Sequence, residues 1–217
     1  MPPPTVFRAS LLRMNWPTQL PLIAILRGIR PEHALAHTEA LLDAGFDAIE
    51  IPLNSPDWQS SIREVAARFG AQALIGGGTV LRPEQADALV DAGGKLVVTP
   101  NTRPALIAHA LKRGLFVAAG FATASEAFDA LDAGAQALKL FPATTYGPAH
   151  VKALRAVLPP VPLFAVGGIT PSNLADYLRA GCIGAGLGSD LYNPDQDLAR
   201  TTQMARAFVA AYRDATA

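Results

Sequence analysis

Pro21-Leu-Ile-Ala-Ile-Leu-Arg-Gly28 is a short, almost uninterrupted apolar run, and it precedes the segment Pro31-Glu-His-Ala-Leu-Ala-His-Thr-Glu-Ala-Leu-Leu-Asp-Ala-Gly45. Near-continuous apolarity over a few residues is typical of a strand that is covered on both faces. The second segment has proline in its first turn and glycine just past its end, as helices commonly do. The pair therefore predicts a strand, a turn and a helix.

The same unit recurs along the chain. Short runs rich in Val, Ile and Leu return roughly every 22 residues, and each precedes a turn and an amphipathic segment. The helix pattern with proline at its start and Ala-Gly at its end returns at Pro83 to Gly93 and at Pro171 to Gly181. The eight predicted strands are Pro21 to Gly28, Asp47 to Leu53, Ala73 to Val80, Lys95 to Pro100, Phe116 to Ala122, Ala137 to Ala143, Pro162 to Gly168 and Ile183 to Ser189.

Eight strands alternating with eight helices in roughly 200 residues favour an α/β fold made of a single (β/α)8 TIM barrel. A doubly wound open sheet is the alternative, but it usually has five or six units and a glycine-rich turn after its first strand. Here the glycine clusters follow the third, seventh and eighth predicted strands. The predicted barrel domain covers residues 20–217, and residues 1–19 are predicted to form a loose N-terminal arm.

Composition argues against several classes of partner. Half of the 217 residues are hydrophobic, and 18 basic residues balance 18 acidic ones. A net charge of zero predicts no attraction to nucleic acid or to an anionic membrane surface. No apolar run approaches the roughly 18 residues that a membrane span requires. One cysteine, Cys182, and four scattered histidines lack metal-site spacing, so we expect no metal, no cofactor, an inert packed thiol and a cytoplasmic location.

Glu50 and Lys139 are the leading catalytic candidates, because each interrupts an apolar strand in which an unpaired charge is costly. Two interpretations are open. In the first, the two residues form a structural ion pair or point out of the barrel. In the second, Leu138, Leu140 and Phe141 desolvate Lys139 and lower its pKa, which frees a neutral amine to attack a ketone. Glu50 then serves as the proton shuttle that imine chemistry needs.

Two glycine-rich loops predict a phosphate site. Val166-Gly-Gly168 follows the seventh strand, and Gly184-Ala-Gly-Leu-Gly-Ser-Asp190 spans the eighth strand and its loop. Backbone amides exposed at glycine, aided by a helix N-terminus, bind phosphate in many barrels. The predicted phosphate-binding residues are Gly167, Gly168, Gly188, Ser189 and Asp190.

Two further polar residues end strands at the same edge. Arg27 is predicted to bind a carboxylate or phosphate, because a guanidinium fork suits planar oxyanions; the alternative is an ordinary surface arginine. Gly76-Gly-Gly-Thr79 lacks the spacing of a nucleotide loop. It is predicted to admit substrate to the backbone, with the Thr79 hydroxyl donating to a carboxylate. The histidines fall on helices and are predicted to lie at the surface: His33, His37, His109 and His150.

Six motifs follow one another along the chain: Leu22-Ile-Ala-Ile-Leu-Arg-Gly28, Glu50-Ile-Pro-Leu-Asn-Ser-Pro56, Gly78-Thr-Val80, Val98-Thr-Pro-Asn101, Ala137-Leu-Lys-Leu-Phe-Pro142 and Val166-Gly-Gly168. Together they resemble the 2-keto-3-deoxy-6-phosphogluconate and phosphogalactonate aldolases. The resemblance implies a metal-independent class I aldolase, assembled as a homotrimer. Such an enzyme cleaves a phosphorylated sugar acid to pyruvate and glyceraldehyde 3-phosphate.

The resemblance also implies residue roles. Lys139 matches the Schiff-base lysine, and Glu50 matches the acid/base. Arg27 and Thr79 match contacts to the pyruvate carboxylate. The remaining matched positions are Pro100, which shapes the pyruvate pocket, Phe141 and Val166, which contact substrate, and the phosphate-site residues Gly167, Gly168 and Ser189.

Within the family, Asn54-Ser55 and Val166 replace the Arg-Thr and Thr that are usual in the phosphogluconate branch. Loss of a hydroxyl at position 166 alters contacts near the substrate's C4 hydroxyl, the centre at which the two sugar acids differ. These positions favour 2-dehydro-3-deoxy-6-phosphogalactonate, with the phosphogluconate as the alternative. A phosphate-binding barrel isomerase or epimerase, and a non-catalytic phosphosugar-binding barrel, also stay open, because a fold alone does not prove an activity.

Overall fold

The computed structural model describes residues 16–217, which form eight parallel strands and eight helices in strict alternation. The strands pair in chain order, and the eighth pairs back onto the first, so the sheet closes into a barrel. The predicted (β/α)8 barrel is confirmed. The open-sheet alternative is wrong, because neither the first nor the last strand has a free edge.

The strands are β1 (Leu22–Ile25), β2 (Ala48–Pro52), β3 (Leu74–Gly78), β4 (Leu96–Val98), β5 (Phe116–Phe121), β6 (Ala137–Leu140), β7 (Leu163–Val166) and β8 (Gly184–Leu187). The helices are α1 (Pro31–Ala44), α2 (Trp58–Phe69), α3 (Pro83–Asp91), α4 (Pro104–Lys112), α5 (Ala124–Asp132), α6 (Ala143–Arg155, interrupted at Gly147), α7 (Leu174–Ala180) and α8 (Leu198–Thr216). Within the described range, no helix has both the length and the apolarity of a membrane span.

Most strands end earlier than the apolar runs predicted, because the last residues of each run have left the sheet and form the loops at the barrel mouth. Helix α7 also begins later than the expected start at Pro171. Thr170 and Asn173 exchange hydrogen bonds between their side chains and backbone N–H groups, which holds the intervening residues in a turn. A local side-chain bond of this kind competes with the first turn of a helix.

Side chains on the strands alternate between two packed layers, as strand geometry requires. Residues such as Ile23, Ala48 and Ala137 pack inside the barrel. Their chain neighbours, such as Ile49 and Leu138, pack between the barrel and its helices. A side chain's position along a strand therefore decides whether it faces the barrel interior or the helices.

Trp16 closes the end of the barrel that is opposite to the strands' C-terminal ends. Its side chain is only 5% exposed. Its ring centroid lies 5.4 Å from that of Phe116 and 4.6 Å from that of Phe164. Its ring therefore packs with two aromatic strand residues in the layer inside the barrel. Trp16 falls within the arm predicted for residues 1–19, and residues 1–15 of that arm lie outside the described residues.

We predict that Trp16→Ala lowers the free energy of unfolding by about 3–5 kcal/mol, because it leaves a cavity where an aromatic side chain is packed. Trp16→Phe is the matched control and should keep most of the stability, since the indole Nε1 has no hydrogen-bond partner to lose. Urea unfolding of the two variants measures the difference. A Trp16→Ala protein as stable as the unaltered chain would contradict this role.

Candidate active site

A cavity of about 520 Å³ lies at the C-terminal ends of the strands. It brings together residues that are far apart in the sequence. They come from the loops after six of the strands and from within three strands. Every site residue predicted from the sequence lines it, except Glu50. These lining residues are Arg27, Thr79, Pro100, Lys139, Phe141, Val166, Gly167, Gly168, Gly188, Ser189 and Asp190.

Glu50 and Lys139 both point into the barrel. Glu50 shares the strand parity of Ala48, and Lys139 shares that of Ala137, and both alanines belong to the interior layer. The alternative in which the two charged side chains point outward is therefore wrong. Glu50 is 1% exposed and Lys139 is 5% exposed, so each ionisable group is held away from bulk water.

The burial of Lys139 has a different source from the one the sequence suggested. Leu138 and Leu140 face the helix layer on the other side of the sheet, so they do not desolvate the amine. Phe141 does approach it, because the ring centroid lies 5.1 Å from Lys139 Nζ. Most of the desolvation comes from the barrel interior itself.

No salt bridge joins Glu50 to Lys139 among the described residues, so they do not form the structural ion pair considered above. Burial lowers the pKa of the Lys139 amine; Glu50 opposes that shift, and the nearby Arg27 charge adds to it. Burial also raises the pKa of the Glu50 carboxyl group, against the attraction of Lys139 and Arg27. Both shifts favour neutral forms, as a low-dielectric site requires.

The carboxyl group of Glu50 rests against the bare backbone of Gly78. A Cβ atom on Gly78 would lie 1.3 Å from Glu50 Oε2, so only glycine leaves room for the carboxyl group. Glu50 Oε2 is buried and has no hydrogen-bond partner within residues 16–217. Because an unpaired buried polar atom is costly, this oxygen is suited to exchange hydrogen bonds or a proton with a ligand.

Arg27 and Thr79 lie together at the cavity mouth. Both terminal nitrogens of Arg27 are 3.5 Å from Thr79 Oγ1, and Arg27 Nη1 donates to Asn54 Oδ1 at 2.9 Å. Thr79 has a φ of 56°, which is unusual for a residue with a branched side chain. Backbone strain of this kind clusters at functional sites. The contact to Asn54 was not predicted from the sequence, because pairing between loop side chains leaves no periodic signal.

The loops after β7 and β8 form the opposite wall. Gly167 and Gly168 have φ values of 99° and 71°, which favour glycine and turn the backbone along the cavity. After Gly188, the N–H groups of Leu191 and Tyr192 donate to its carbonyl and form one helical turn. Several lining residues were not predicted from the sequence, and all of them are apolar or lie in the long loop after β8: Ile25, Ile169, Tyr192, Asn193 and Pro194.

The histidines and the cysteine lie away from this cavity. His37 is only 5% exposed, and its Nδ1 lies 2.9 Å from Thr201 Oγ1, so the prediction of a surface position is wrong for this residue. It is buried because α1 packs against α8 at that point. Burial raises the pKa of the Cys182 thiol to about 12, which fits the predicted inert thiol. No group of three metal-ligating side chains occurs in residues 16–217.

Residues 15–205 match the protein family described as KDPG and KHG aldolases. The chain belongs to this family. It is 60% identical over 203 residues to the 2-dehydro-3-deoxy-6-phosphogalactonate aldolase of Escherichia coli strain K12, which covers 93% of this chain and 99% of that protein.

Two solved structures share the barrel closely. One, named "Native KDPGal structure", has a TM-score of 0.92 and 59% identity, and the match covers 93% of this chain and 98% of the other. The second is a cube-shaped, porous protein cage designed by fusing symmetric oligomeric domains. It has a TM-score of 0.91 and 60% identity, and the match covers 92% of this chain and 74% of that one.

The packing at Gly78 gives a test of the site's geometry. Gly78→Ala should abolish turnover, because its Cβ would displace the Glu50 carboxyl group. Gly77→Ala is the matched control: a Cβ there meets only the ends of the Leu53 and Leu89 side chains, which can shift. Steady-state turnover of both purified, folded variants measures the difference. Equal activity of the two variants would contradict the geometry.

Proposed function

We propose that this chain is a class I, Schiff-base aldolase, a carbon–carbon lyase. It cleaves 2-dehydro-3-deoxy-6-phospho-D-galactonate to pyruvate and D-glyceraldehyde 3-phosphate in galactonate breakdown. The observation that carries the proposal is the buried Lys139 amine at the edge of a cavity with the Glu50 carboxyl group beside it. The 60% identity to an aldolase of that name supports the choice of substrate.

Lys139 is the nucleophile. Its lowered pKa supplies a neutral amine, which attacks the C2 ketone and forms a C–N bond. The resulting carbinolamine loses its hydroxyl group as water and becomes an iminium ion. This cation then accepts the electron pair that is released when the C3–C4 bond breaks. Glyceraldehyde 3-phosphate leaves, C3 of the enamine is protonated, and water hydrolyses the imine to pyruvate and free lysine.

Glu50 moves the protons. In its acid form it protonates the departing hydroxyl group of the carbinolamine, and the resulting carboxylate removes the proton from the C4 hydroxyl as the C3–C4 bond breaks. Its raised pKa keeps both forms accessible, and its unpartnered Oε2 is free to make the transfer. One carboxyl group therefore serves both steps.

The two walls of the cavity suit the two ends of the substrate. Arg27 and Thr79 bind the C1 carboxylate, and Pro100 and Phe141 flank the pyruvate half. The glycine loops and Ser189 bind the phosphate through backbone amides and a hydroxyl group. Asp190 lies in the same loop, and its backbone N–H, rather than its carboxylate, is the group suited to an anion.

Val166 points into the barrel and lines the cavity, and we propose that the substrate's C4 hydroxyl, which lies between the imine carbon and the phosphate, is next to it. A valine cannot donate or accept a hydrogen bond there. It therefore favours the C4 epimer whose hydroxyl points away from position 166, which we assign to the galactonate form.

The assembly we propose is a homotrimer in the cytoplasm. A 60% identical domain occurs in a cage designed by fusing symmetric oligomeric domains, which supports a symmetric assembly. Exposed aromatic side chains such as Phe128 and Tyr146, each 40% exposed in the isolated chain, suit burial between subunits. A single thiol suits a reducing compartment.

Reduction with borohydride in the presence of pyruvate tests the mechanism. We expect a stable adduct on Lys139, located by peptide mass spectrometry, and no adduct in Lys139→Ala. The Lys139→Ala variant should also lose essentially all turnover. An adduct on another lysine would overturn the role of Lys139, and no adduct would overturn the Schiff-base mechanism and favour an isomerase that uses the same phosphate loops.

Cleavage of the phosphogalactonate and phosphogluconate keto-deoxy acids, assayed side by side, tests the substrate. We expect a higher kcat/KM for the galactonate form. Val166→Thr should raise the relative kcat/KM for the gluconate form by roughly tenfold, because it adds a hydroxyl group near C4. Equal efficiencies of the unaltered enzyme on both substrates contradict the assignment.

A further inference from the structure

Asn54 is the one side chain whose amide oxygen holds Arg27 at the cavity mouth, with Nη1 to Oδ1 at 2.9 Å, within the part of the chain that the structure describes. We propose that Asn54 is a positioning residue, which fixes the Arg27 guanidinium so that its remaining donors meet the substrate's C1 carboxylate. The inference rests on the proposed aldolase function. It adds a residue that acts through Arg27 rather than on the substrate.

The position of the carboxylate follows from the chemistry of the ketone. The C1 carboxylate is bonded directly to C2, the atom that Lys139 attacks, so it lies within a few ångströms of the amine. Arg27 and Lys139 line the same cavity, and the charge of Arg27 affects the pKa of both Lys139 and Glu50. An arginine at that place is suited to the carboxylate end, and the glycine loops are left for the phosphate.

An exposed arginine needs such a restraint. Arg27 has a long side chain with many rotamers, and ordering it on substrate binding costs free energy. Its two contacts to Thr79 are long, at 3.5 Å, so they orient it weakly. The shorter hydrogen bond to Asn54 uses one N–H of Nη1, and the N–H groups of Nε and Nη2 stay available to a carboxylate. The guanidinium is thus oriented before substrate arrives.

The neutrality of Asn54 matters as much as its position. An aspartate at position 54 would also hold Arg27, and more strongly, but it would cancel the positive charge that attracts the carboxylate. An amide oxygen orients the guanidinium and leaves its charge intact. Asn54 should therefore be superior both to alanine, which cannot orient Arg27, and to aspartate, which neutralises it.

Ser55, the residue after Asn54, fixes the backbone of the loop after β1, in which Arg27 lies. Ser55 is 5% exposed, and its Oγ accepts a hydrogen bond from the Gly28 N–H at 2.8 Å. Gly28 has a φ of 80°, and a Cβ there would lie 2.7 Å from Pro194 Cγ, so the loop is confined from two sides. Ser55 thus fixes the backbone of the loop after β1 at Gly28, and Asn54 fixes the side chain of the preceding residue, Arg27.

A double-mutant cycle tests the proposal in the full-length enzyme. We expect Asn54→Ala to raise the KM for substrate roughly tenfold with kcat changed by less than about threefold, since a charge-assisted hydrogen bond orients a ground-state contact. In the Arg27→Ala background, Asn54→Ala should have no further effect, because its partner is gone. An equal loss in both backgrounds would show that Asn54 acts independently of Arg27 and would overturn the proposal.

Asn54→Asp provides the second measurement. We expect it to raise KM at least as much as alanine does, and to keep the unaltered stability in urea. A KM like that of the unaltered enzyme would show that the charge of Arg27 is not used and would overturn the proposal.

Trapping of pyruvate on Lys139 separates this inference from the proposed function. If the unaltered enzyme forms no imine, the function fails. If it forms one, and the pyruvate concentration for half-maximal trapping is the same in Asn54→Ala, only the role of Asn54 fails. We expect that concentration to rise about as much as KM does.

Discussion

The rest of the site depends on the burial of one amine inside the barrel. Lys139 occupies an interior position on β6, where the surrounding apolar side chains exclude water and lower its pKa. No ion pair with Glu50 restores its charge within the described residues. Burial therefore destabilises the ammonium form of Lys139, and in the mechanism we propose the resulting neutral amine is the nucleophile.

Space beside the amine is set by glycine rather than by large side chains. Gly78 admits the Glu50 carboxyl group, and Gly76 allows β3 and β4 to approach, since a Cβ on Gly76 would lie 2.0 Å from the Leu96 carbonyl oxygen. On the opposite wall, Gly167 and Gly168 present bare backbone to the cavity. The same barrel thus buries the Glu50 carboxyl group and the Lys139 amine and leaves bare backbone on the opposite wall of the cavity, and the proposed mechanism uses both features.

The sequence was sufficient for the barrel, because the repeat of apolar run, turn and helix is a local signal that recurs eight times. Predictions from the sequence were less reliable where packing between distant parts of the chain decides whether a residue is buried. Trp16 and His37 are buried only because distant strands or helices cover them. The same limit applies to the site. Glu50 and Lys139 stood out as charges in apolar strands, whereas the contact between Asn54 and Arg27 and the part of Tyr192 in the lining arise only when loops meet in three dimensions.

The central claim is that Lys139 carries a neutral amine under working conditions because the barrel interior desolvates it. Its pKa is directly measurable by NMR titration of the protein with lysine labelled at the ε-carbon, with Lys139→Ala to assign the signal. The account predicts a pKa well below the ordinary lysine value of 10.5. A pKa at or above that value would contradict it, because the barrel would then stabilise the charged form and leave no nucleophile to form the imine.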